Sequence, residues 1–409
     1  MIDAKPIPLR ESLSRVRQSS AVLQTESLVR RAQALSAAFM TLSDPHHPRG
    51  ARLRRQCHES SGLHPAMVEW GLHTSIPSEA VLLEAIASLS HEEGSPHPAA
   101  TPPSLGVIVL SGNVFTAAIR AISFPLLAGV PCAVKVSSRD GALALALQEA
   151  WAEVWPEAQD AVRCFCPPRE QPDMLKTLLS AGDWVSAYGS DETVLQLAAL
   201  SREDSCFVRH GHGLGLAYIP ASALASDTAA QDWAIRLGVD LAAYDQRGCL
   251  SPHSVLVEEG AKVSARRFAE ILFSEGIPAA ARRLPRGPLP AAVAAEQLQW
   301  RGVAAACGTL HETPEFAVSF EQDGPLRASP GWRNLQVVAI DDQEHLMQRI
   351  APLGAHLKML GVAGEPDARN RLEALLPASV HPQVAPLGEM QTPSFGSLAD
   401  GKSPWFGLR

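Results

Sequence analysis

The stretch from Leu105 to Ser201 constrains the fold most, because apolar strand-like runs alternate there with segments of helical periodicity. Such alternation is typical of a parallel sheet whose strands are connected by crossover helices. It predicts an open, doubly wound sheet of the kind that binds nucleotides. The predicted strands are 105–110, 132–136, 161–166 and 183–187, and the predicted helices are 114–127, 141–155, 173–180 and 192–201.

The flanking segments predict further layers. Apolar residues recur at helical spacing from Leu9 to Leu42, which predicts one or two outer helices. The run HEEGSPHPAATPP at 91–103 has no periodicity and predicts a surface connection. Later segments predict a strand at 215–219, a helix near 223–243, a strand at 253–258 and a loop over RRLPRGPLP at 282–290.

These elements predict an α/β protein with two domains. Residues 1–219 are expected to form N-terminal helices and a dinucleotide-binding domain, and residues 220–375 a second α/β domain. Residues 376–409 are expected to return as a tail to the dinucleotide-binding domain. With 409 residues, 46% of them hydrophobic, the chain is long enough to bury a core in each domain.

Composition excludes several classes of function. A formal net charge of −8 argues against a nucleic-acid partner, because binding a phosphate backbone requires a concentrated basic surface. The seven cysteines are an odd number without the spacing of a disulfide framework, which favours reduced thiols and a cytoplasmic location. The sequence starts without the apolar run of a signal peptide, and no stretch reaches the length of a membrane span.

Three short segments could carry chemistry: Ser111–Asn113, Tyr188–Ser190 and Asp245–Cys249. Ligands of doubly wound folds collect outside the carboxyl ends of strands, where helix N-termini offer free N–H groups, so all three could line one cleft. Gly189 lets a pyrophosphate approach the backbone and Ser190 offers a hydroxyl, although the same dipeptide is also an ordinary helix cap.

Cys249 lies between a glycine and a Leu-Ser-Pro turn. This setting can hold a thiol at the tip of a loop, near N–H groups that stabilise a thiolate. A buried structural thiol is the alternative, because free cysteine is among the most buried residue types. The residues alone leave both interpretations open.

Other chemistries find little support. The glycine-rich run from His210 to Gly215 precedes an apolar strand and lacks the spacing of a dinucleotide fingerprint. Cys206, His210 and His212 lack a fourth ligand at suitable spacing, so no metal site is predicted. No Gly-x-Ser-x-Gly elbow or His-Glu-x-x-His helix is present, which disfavours hydrolases and metalloproteases.

Four runs of the sequence carry a resemblance to a known family. In order along the chain, GVIVLSGNVFTAAIRAISFPLLAGVPCAVKVSS, YGSDE, DQRGCLSPHSVLVE and APLGEMQTPSFG resemble the LuxC-type acyl-CoA reductases of the aldehyde dehydrogenase superfamily. The resemblance spans most of the chain after Gly106. It implies an aldehyde-dehydrogenase-like fold, in which the second domain is a catalytic domain that carries the nucleophilic cysteine.

The resemblance also implies roles for individual residues. Cys249 matches the catalytic thiol, Asn113 the oxyanion-hole asparagine and Lys135 the lysine that holds the adenosine ribose. Gly189 and Ser190 match the turn that binds the dinucleotide phosphates. Cys249 would attack an acyl thioester, with the Asn113 amide and its own N–H stabilising the oxyanion, and release coenzyme A. Hydride transfer to the acyl-enzyme would then form an aldehyde.

Two departures from ordinary aldehyde dehydrogenases refine the expectation. Residues 207–212 contain no glutamate, so hydrolysis of the acyl-enzyme should be slow and a thioester-dependent reductase is favoured. His210 and His212 are candidates for proton transfer, and Gln246 is expected to support the cysteine loop. Ser137, Ser138 and Arg139 follow the lysine, and these hydroxyls and this cation favour NADPH over NADH.

The sequence therefore predicts an acyl-CoA reductase of class EC 1.2.1 that uses NADPH. Its acyl donor is acyl-CoA or an acylated carrier or partner protein, and the acyl chain is not determined. An acyltransferase or thioesterase that uses Cys249 without hydride transfer is the alternative, followed by a catalytically silent scaffold. A homodimer is left open.

Overall fold

The computed structural model describes residues 8–88, 102–137, 139–168 and 171–408. The chain divides into two compact units, each with its own sheet. The first unit contains the described residues of Met1–Ser61, Gly71–Gly211 and Lys402–Arg409, and the second contains Gly62–Trp70 and His212–Gly401. Within the described parts of the chain, no helix combines the length and apolar character that crossing a membrane requires.

Helices and strands cover most of the described chain. The α-helices are α1 Leu9–Thr25, α2 Leu28–Ser43, α3 Pro48–Ser61, α4 Pro65–Ser75, α5 Glu79–Ser88, α6 Ala117–Ala128, α7 Ala142–Val154, α8 Pro172–Ala181, α9 Asp191–Leu200, α10 Asp227–Ala242, α11 Ala265–Ile271, α12 Ile277–Arg283, α13 Ala291–Cys307, α14 Gln343–Ile350 and α15 Pro366–Ala374. The strands are β1 Gly106–Val109, β2 Cys132–Lys135, β3 Val162–Phe165, β4 Trp184–Tyr188, β5 Cys206–His210, β6 Leu214–Ile219, β7 Pro252–Glu258, β8 Thr309–Glu312, β9 Ala317–Glu321, β10 Asn334–Ile340, β11 Leu357–Val362 and β12 Gln383–Pro386.

The first sheet is five-stranded and parallel, with strand order β3-β2-β1-β4-β5. Every residue of β1 is buried, as expected for a parallel strand that has both faces covered. The chain runs outward from β1 through β2 to β3 and then returns to β4 on the other side of β1. The strand order therefore reverses between β1 and β4.

The second sheet is seven-stranded, with order β12-β11-β6-β7-β10-β9-β8. Its pairs are parallel except for the edge strand β8, which runs antiparallel to β9. Both faces are covered: Ala217 and Ile219 of β6 belong to one apolar cluster, and the alternate residues Leu216 and Tyr218 belong to another. The period of two along β6 thus supplies both layers of the core.

The structure confirms the α/β class and the alternating elements. The predicted helix at 114–127 begins later, at Ala117, and the helix near 223–243 is shorter, at Asp227–Ala242. The predicted loop at 282–290 begins only after Arg283, where α12 ends. Most of the predicted connection at 91–103 lies outside the described residues.

The observed units also differ from the predicted domain limits. Strand β6, expected in the first domain, pairs with β7 and β11 in the second sheet. Strand β12 pairs with β11 there as well, so of the predicted tail only the described part of Lys402–Arg409 joins the first unit. Strand partners depend on contacts between distant segments, which periodicity does not reveal.

Candidate active site

The predicted cofactor residues of the first unit lie at the carboxyl edge of its sheet. Ser111–Asn113 follow β1, and Tyr188–Ser190 end or follow the neighbouring strand β4. Because the strand order reverses between these two strands, this is the switch point at which doubly wound sheets bind their ligands. Asn113 is exposed there, at the start of the connection to α6.

The connection after β2 packs against the connection after β1. A Cβ atom built on Gly112 would overlap the Ser137 hydroxyl and would lie 3.5 Å from Arg139 Cβ. A larger residue at position 112 would require the Ser137 side chain to move, so the glycine allows this close approach. The Arg139 N–H donates to Ser137 Oγ at 3.2 Å, and the Arg139 side chain is exposed. A hydroxyl and a cation thus stand together beside the switch point.

Lys135 is half-buried at the end of β2, and its carbonyl accepts from the Leu110 N–H at 3.0 Å. Ser138 lies outside the described residues. The nearby carboxylate of Asp140 is only 5% exposed, so it is not presented to a ligand on the surface. Lys135, Ser137 and Arg139 therefore lie at the same edge of the sheet.

Gly189 and Ser190 stand at the N-terminus of α9. The Ser190 side chain caps the helix by accepting from the Thr193 N–H at 3.3 Å, which is the ordinary structural role. The same position exposes the positive end of a helix to the switch point. Asp191 and Glu192 occupy the first turn, so the capping dipeptide is not surrounded by basic groups alone.

One feature of this edge was missed in the sequence. Tyr188 and His210 end the paired strands β4 and β5, and their rings stack with centroids 4.1 Å apart. Burial lowers the pKa of Arg120 on α6, and the neighbouring Tyr188 opposes that shift, so the guanidinium also lies near the stack. Tyr188 and His210 could have been paired from the sequence by aligning the ends of the two strands. No local pattern predicts that Arg120 lies near these rings.

Cys249 lies in the second unit, directly before the central strand β7. Its segment therefore stands at the amino edge of that sheet. Cys249 is exposed. Of the two alternatives that the sequence left open, the structure therefore shows the accessible thiol and not the buried structural thiol. The Gly215 N–H donates to the Ser251 carbonyl at 2.9 Å and ties the end of the segment to β6.

Two charged residues that the sequence did not predict lie near this thiol. Partial removal of the Cys249 thiol from water raises its pKa, because the thiolate is less well solvated there. The Asp400 carboxylate raises this pKa further, and the Lys358 ammonium lowers it. Lys358 and Asp400 form an ion pair in which both side chains are largely buried. A Cβ on Gly213 would overlap the Lys358 side chain, so a glycine leaves the space that the lysine occupies.

Gln246 supports the cysteine segment, as the sequence suggested. Its side-chain amide donates to the carbonyls of Pro252 at 2.8 Å and Asn334 at 2.9 Å, and its side-chain carbonyl accepts from the Asn334 N–H at 3.0 Å. Gln246 is 2% exposed. Residues 247–251 therefore form a loop whose two ends are joined by one buried side chain.

His253 is a neutral, half-buried imidazole beside this loop. Burial and the neighbouring His212 lower the pKa of His253 to about 4, and its Nδ1 accepts from the Ser329 N–H at 2.9 Å. A donor at Nδ1 requires that nitrogen to be unprotonated. His253 is therefore a packing group in this structure.

The lowered pKa of His253 predicts a pH-dependent stability. Between pH 6.5 and about 4 the unfolded chain binds a proton that the folded chain does not, so stability should fall as the pH decreases through this window. The contribution is about 3 kcal/mol at most. We expect His253→Gln to be less stable than wild type at pH 7 but to lose less stability by pH 4.5, measured as thermal unfolding. Equal losses in the two proteins would contradict the prediction.

No cluster of three or more histidine, cysteine, aspartate or glutamate side chains able to hold an ion occurs in residues 8–88, 102–137, 139–168 and 171–408. Of the predicted residues that are described, Asn113, Lys135, Ser137, Arg139, Gly189 and Ser190 share one edge of the first sheet, and Cys249 belongs to the second unit.

The fold defines a class of protein. The structure is similar to an NAD-dependent benzaldehyde dehydrogenase from Corynebacterium glutamicum, with a TM-score of 0.68, 15% identity, and coverage of 95% of this chain and 88% of that chain. Aldehyde dehydrogenase 21 from Physcomitrella patens gives a TM-score of 0.71, 15% identity, and coverage of 97% and 87%. Lactaldehyde dehydrogenase from Escherichia coli gives a TM-score of 0.68 and 15% identity, with coverage of 92% of this chain and 82% of that chain. The chain therefore has the aldehyde dehydrogenase fold.

The sequence defines the family within that class. Residues 83–405 match the family described as acyl-CoA reductase (LuxC), so the chain belongs to that family. Family and fold together support an oxidoreductase of the EC 1.2.1 type, with an acyl-CoA substrate and a nicotinamide dinucleotide. No curated protein matches the sequence significantly.

Proposed function

We propose that this protein reduces an acyl thioester to an aldehyde through an acyl-enzyme on Cys249, with NADPH as the reductant. The observation that carries the proposal is the exposed Cys249 thiol on a tied loop, in a chain of the acyl-CoA reductase family. An exposed thiol can meet a bulky thioester, whereas the buried Cys57 and Cys132 cannot.

The proposed reaction has two stages. The Cys249 thiolate attacks the thioester carbonyl, while its own N–H and the Asn113 amide donate to the oxyanion. The C–S bond to coenzyme A then breaks, and coenzyme A leaves as a thiol after taking a proton. NADPH supplies the hydride for the second stage. Hydride addition to the acyl carbonyl leaves an oxyanion on the carbon that is bonded to the Cys249 sulfur. Collapse of this oxyanion breaks the C–S bond, releases the aldehyde and returns the Cys249 thiolate.

The residues near the end of β5 support reduction over hydrolysis. Residues 207–212 contain two histidines and an arginine but no carboxylate that could activate water, so the acyl-enzyme should persist until hydride arrives. The lysine near the thiol supports acylation in another way. Lys358 lowers the pKa of Cys249 and so partly offsets the unfavourable surroundings of the thiolate.

The preference for NADPH rests on the connection after β2. The exposed Arg139 cation and the Ser137 hydroxyl can bind a 2′-phosphate, and the adjacent carboxylate in the sequence, Asp140, is buried. Ser138 would add a second hydroxyl. Lys135 would hold the adenosine ribose, and Gly189 and Ser190 would receive the pyrophosphate at the N-terminus of α9.

Reversing the charge at position 139 tests the cofactor preference. We expect Arg139→Asp to lower kcat/KM for NADPH roughly 10- to 100-fold, because a carboxylate would repel the 2′-phosphate. The value for NADH should change little or rise. Steady-state kinetics with both cofactors measure this, and Arg163→Asp, at another partly exposed arginine of the first unit, is the control. Equal losses for both cofactors would contradict the assignment.

The function itself is tested by mass spectrometry of the intact protein. Wild type is incubated with acyl-CoAs of increasing chain length, first alone and then with NADPH, and the aldehyde is trapped. We expect one acyl mass on the protein, discharged as aldehyde only when NADPH is present. Discharge to water or to an added thiol without NADPH would instead support a thioesterase or acyltransferase. Absence of acylation by every acyl-CoA would exclude free acyl-CoA as the donor.

A further inference from the structure

The loop before Cys249 has an unusual backbone. Tyr244, Asp245 and Gln246 have φ angles of 51°, 53° and 60°, so three consecutive residues other than glycine adopt the left-handed conformation. Residues that carry a Cβ atom rarely adopt this backbone conformation, because it brings the Cβ close to the neighbouring backbone. Such a turn persists only where the surrounding structure holds it in place.

A second left-handed stretch faces the first. Gly331, Trp332 and Arg333 have φ angles of 76°, 55° and 67°. The Trp332 N–H donates to the Asp245 carbonyl at 3.0 Å, and the Gly331 Cα lies so close to Gln246 that an added Cβ would be 3.2 Å from its carbonyl oxygen. The two strained stretches are therefore bonded to each other through their backbones.

A buried ion pair joins the same two stretches. Arg333 Nη2 donates to Asp245 Oδ1 at 3.0 Å, and both side chains are 1% exposed. Asp245 Oδ2 accepts from the Gly287 N–H at 3.1 Å, and Arg333 Nη2 also donates to the Leu284 carbonyl at 2.7 Å. A buried pair with these additional hydrogen bonds is costly to break from either side, because the remaining charge has no water to solvate it.

The geometry assigns Asp245 and Arg333 as positioning residues for the Cys249 thiol. The pair holds the left-handed turn, the turn presents Gln246 to Pro252 and Asn334, and Gln246 closes the ends of the loop at 247–251. Neither residue touches the substrate in this assignment, which rests on the proposed function of Cys249. A displaced thiol should react more slowly even in a folded protein, because a misplacement of about 1 Å can cost roughly 10²-fold in rate.

Three variants test the assignment in the full-length protein. Arg333→Met leaves Asp245 unpaired, Asp245→Asn with Arg333→Met removes both charges, and Arg333→Lys keeps the cation. The double variant should recover stability relative to Arg333→Met, because no unpaired charge stays buried. Arg267→Met is the matched control, since Arg267 pairs with Asp227 and Glu270 on the surface of the same unit.

The main measurement is the single-turnover rate of Cys249 acylation against acyl-CoA concentration, at a temperature where each variant is folded. We expect the double variant to lose roughly 30- to 100-fold in the saturating rate with little change in the half-saturating concentration. Arg333→Lys should restore part of the rate, and it decides the question if the other variants do not fold. Folded variants that acylate at the wild-type rate would overturn the assignment.

A second readout separates this inference from the proposed function. Alkylation of Cys249 by iodoacetamide needs no acyl-CoA, and peptide mass spectrometry reports each thiol separately. The rate and pH profile at Cys249 should change in the double variant, while those at the exposed Cys166 should not. If wild type is never acylated but the alkylation profile changes, free acyl-CoA is excluded as the donor and the positioning role stands. An unchanged alkylation profile in folded variants would overturn the positioning role.

Discussion

Cys249→Ala is expected to abolish formation of the acyl-enzyme and to lower aldehyde formation by about 10³-fold or more, because alanine has no nucleophile. Intact mass spectrometry with acyl-CoA and the rate of NADPH oxidation measure the two effects. Because Cys249 is exposed at the tip of its loop, the substitution should leave the unfolding temperature close to that of wild type. Loss of activity without loss of folding is the signature expected of a nucleophile.

The chain provides matched controls for this prediction. Cys166 and Cys307 are also exposed thiols, and Cys166→Ala and Cys307→Ala should retain both acylation and reduction. Acyl mass on Cys249→Ala equal to that on wild type would show that another thiol carries the acyl group. Aldehyde formation by Cys249→Ala at the wild-type rate would show that reduction does not need an acyl-enzyme on Cys249, and it would refute the mechanism.

Trp151→Ala should destabilise the first unit by about 3–5 kcal/mol, the usual range for truncating a fully buried aromatic side chain. Trp151 lies in α7 and is completely buried, and its indole N–H donates to the Ala158 carbonyl at 2.9 Å. The substitution leaves a cavity and an unpaired carbonyl acceptor. Thermal unfolding should detect an earlier first transition, and limited proteolysis should cleave the first unit at lower temperature.

Leu145→Ala is the control for that cavity. Leu145 is on the same helix but 45% exposed, so the loss should stay below about 1 kcal/mol. Similar destabilisation by the two substitutions would mean that α7 does not bury Trp151 as described. An unchanged second transition in both variants would show that the second unit unfolds independently.

The two predictions address different parts of the proposal. The Cys249 variant tests the chemistry, whereas the Trp151 variant tests the sheet that carries the residues expected to bind NADPH. A Trp151 variant that loses NADPH-dependent reduction but still becomes acylated at Cys249 would separate cofactor binding from nucleophilic attack. The order of the two stages could then be studied in one protein.

Much of the fold could be predicted from local patterns. The alternation between Leu105 and Ser201 predicted four strands and four helices of the first unit, because apolar periodicity records which face of each element is buried. The positions proposed to carry the chemistry were also visible as short polar or glycine-containing breaks after strands or helices. Asn113, Gly189 and Cys249 all stand in such breaks.

Other features depended on the tertiary structure. Strand β6 was expected in the first sheet, but its apolar residues fit either sheet equally well, and only its pairing with β7 and β11 decides between them. The sequence predicted a loop around Cys249 but not which edge of a sheet the loop joins. The structure places the loop at the amino edge of the second sheet, because the loop precedes β7.

By itself the sequence determined the class of elements, the family resemblance and the residue types available for chemistry, since these depend on neighbouring residues and their periodicity. The tertiary structure alone decided which distant groups meet. Arg333 reaches Asp245 across 88 positions, and Lys358 reaches Asp400 across 42. No local pattern encodes such pairs, because burial of their charges becomes tolerable only when both partners arrive together.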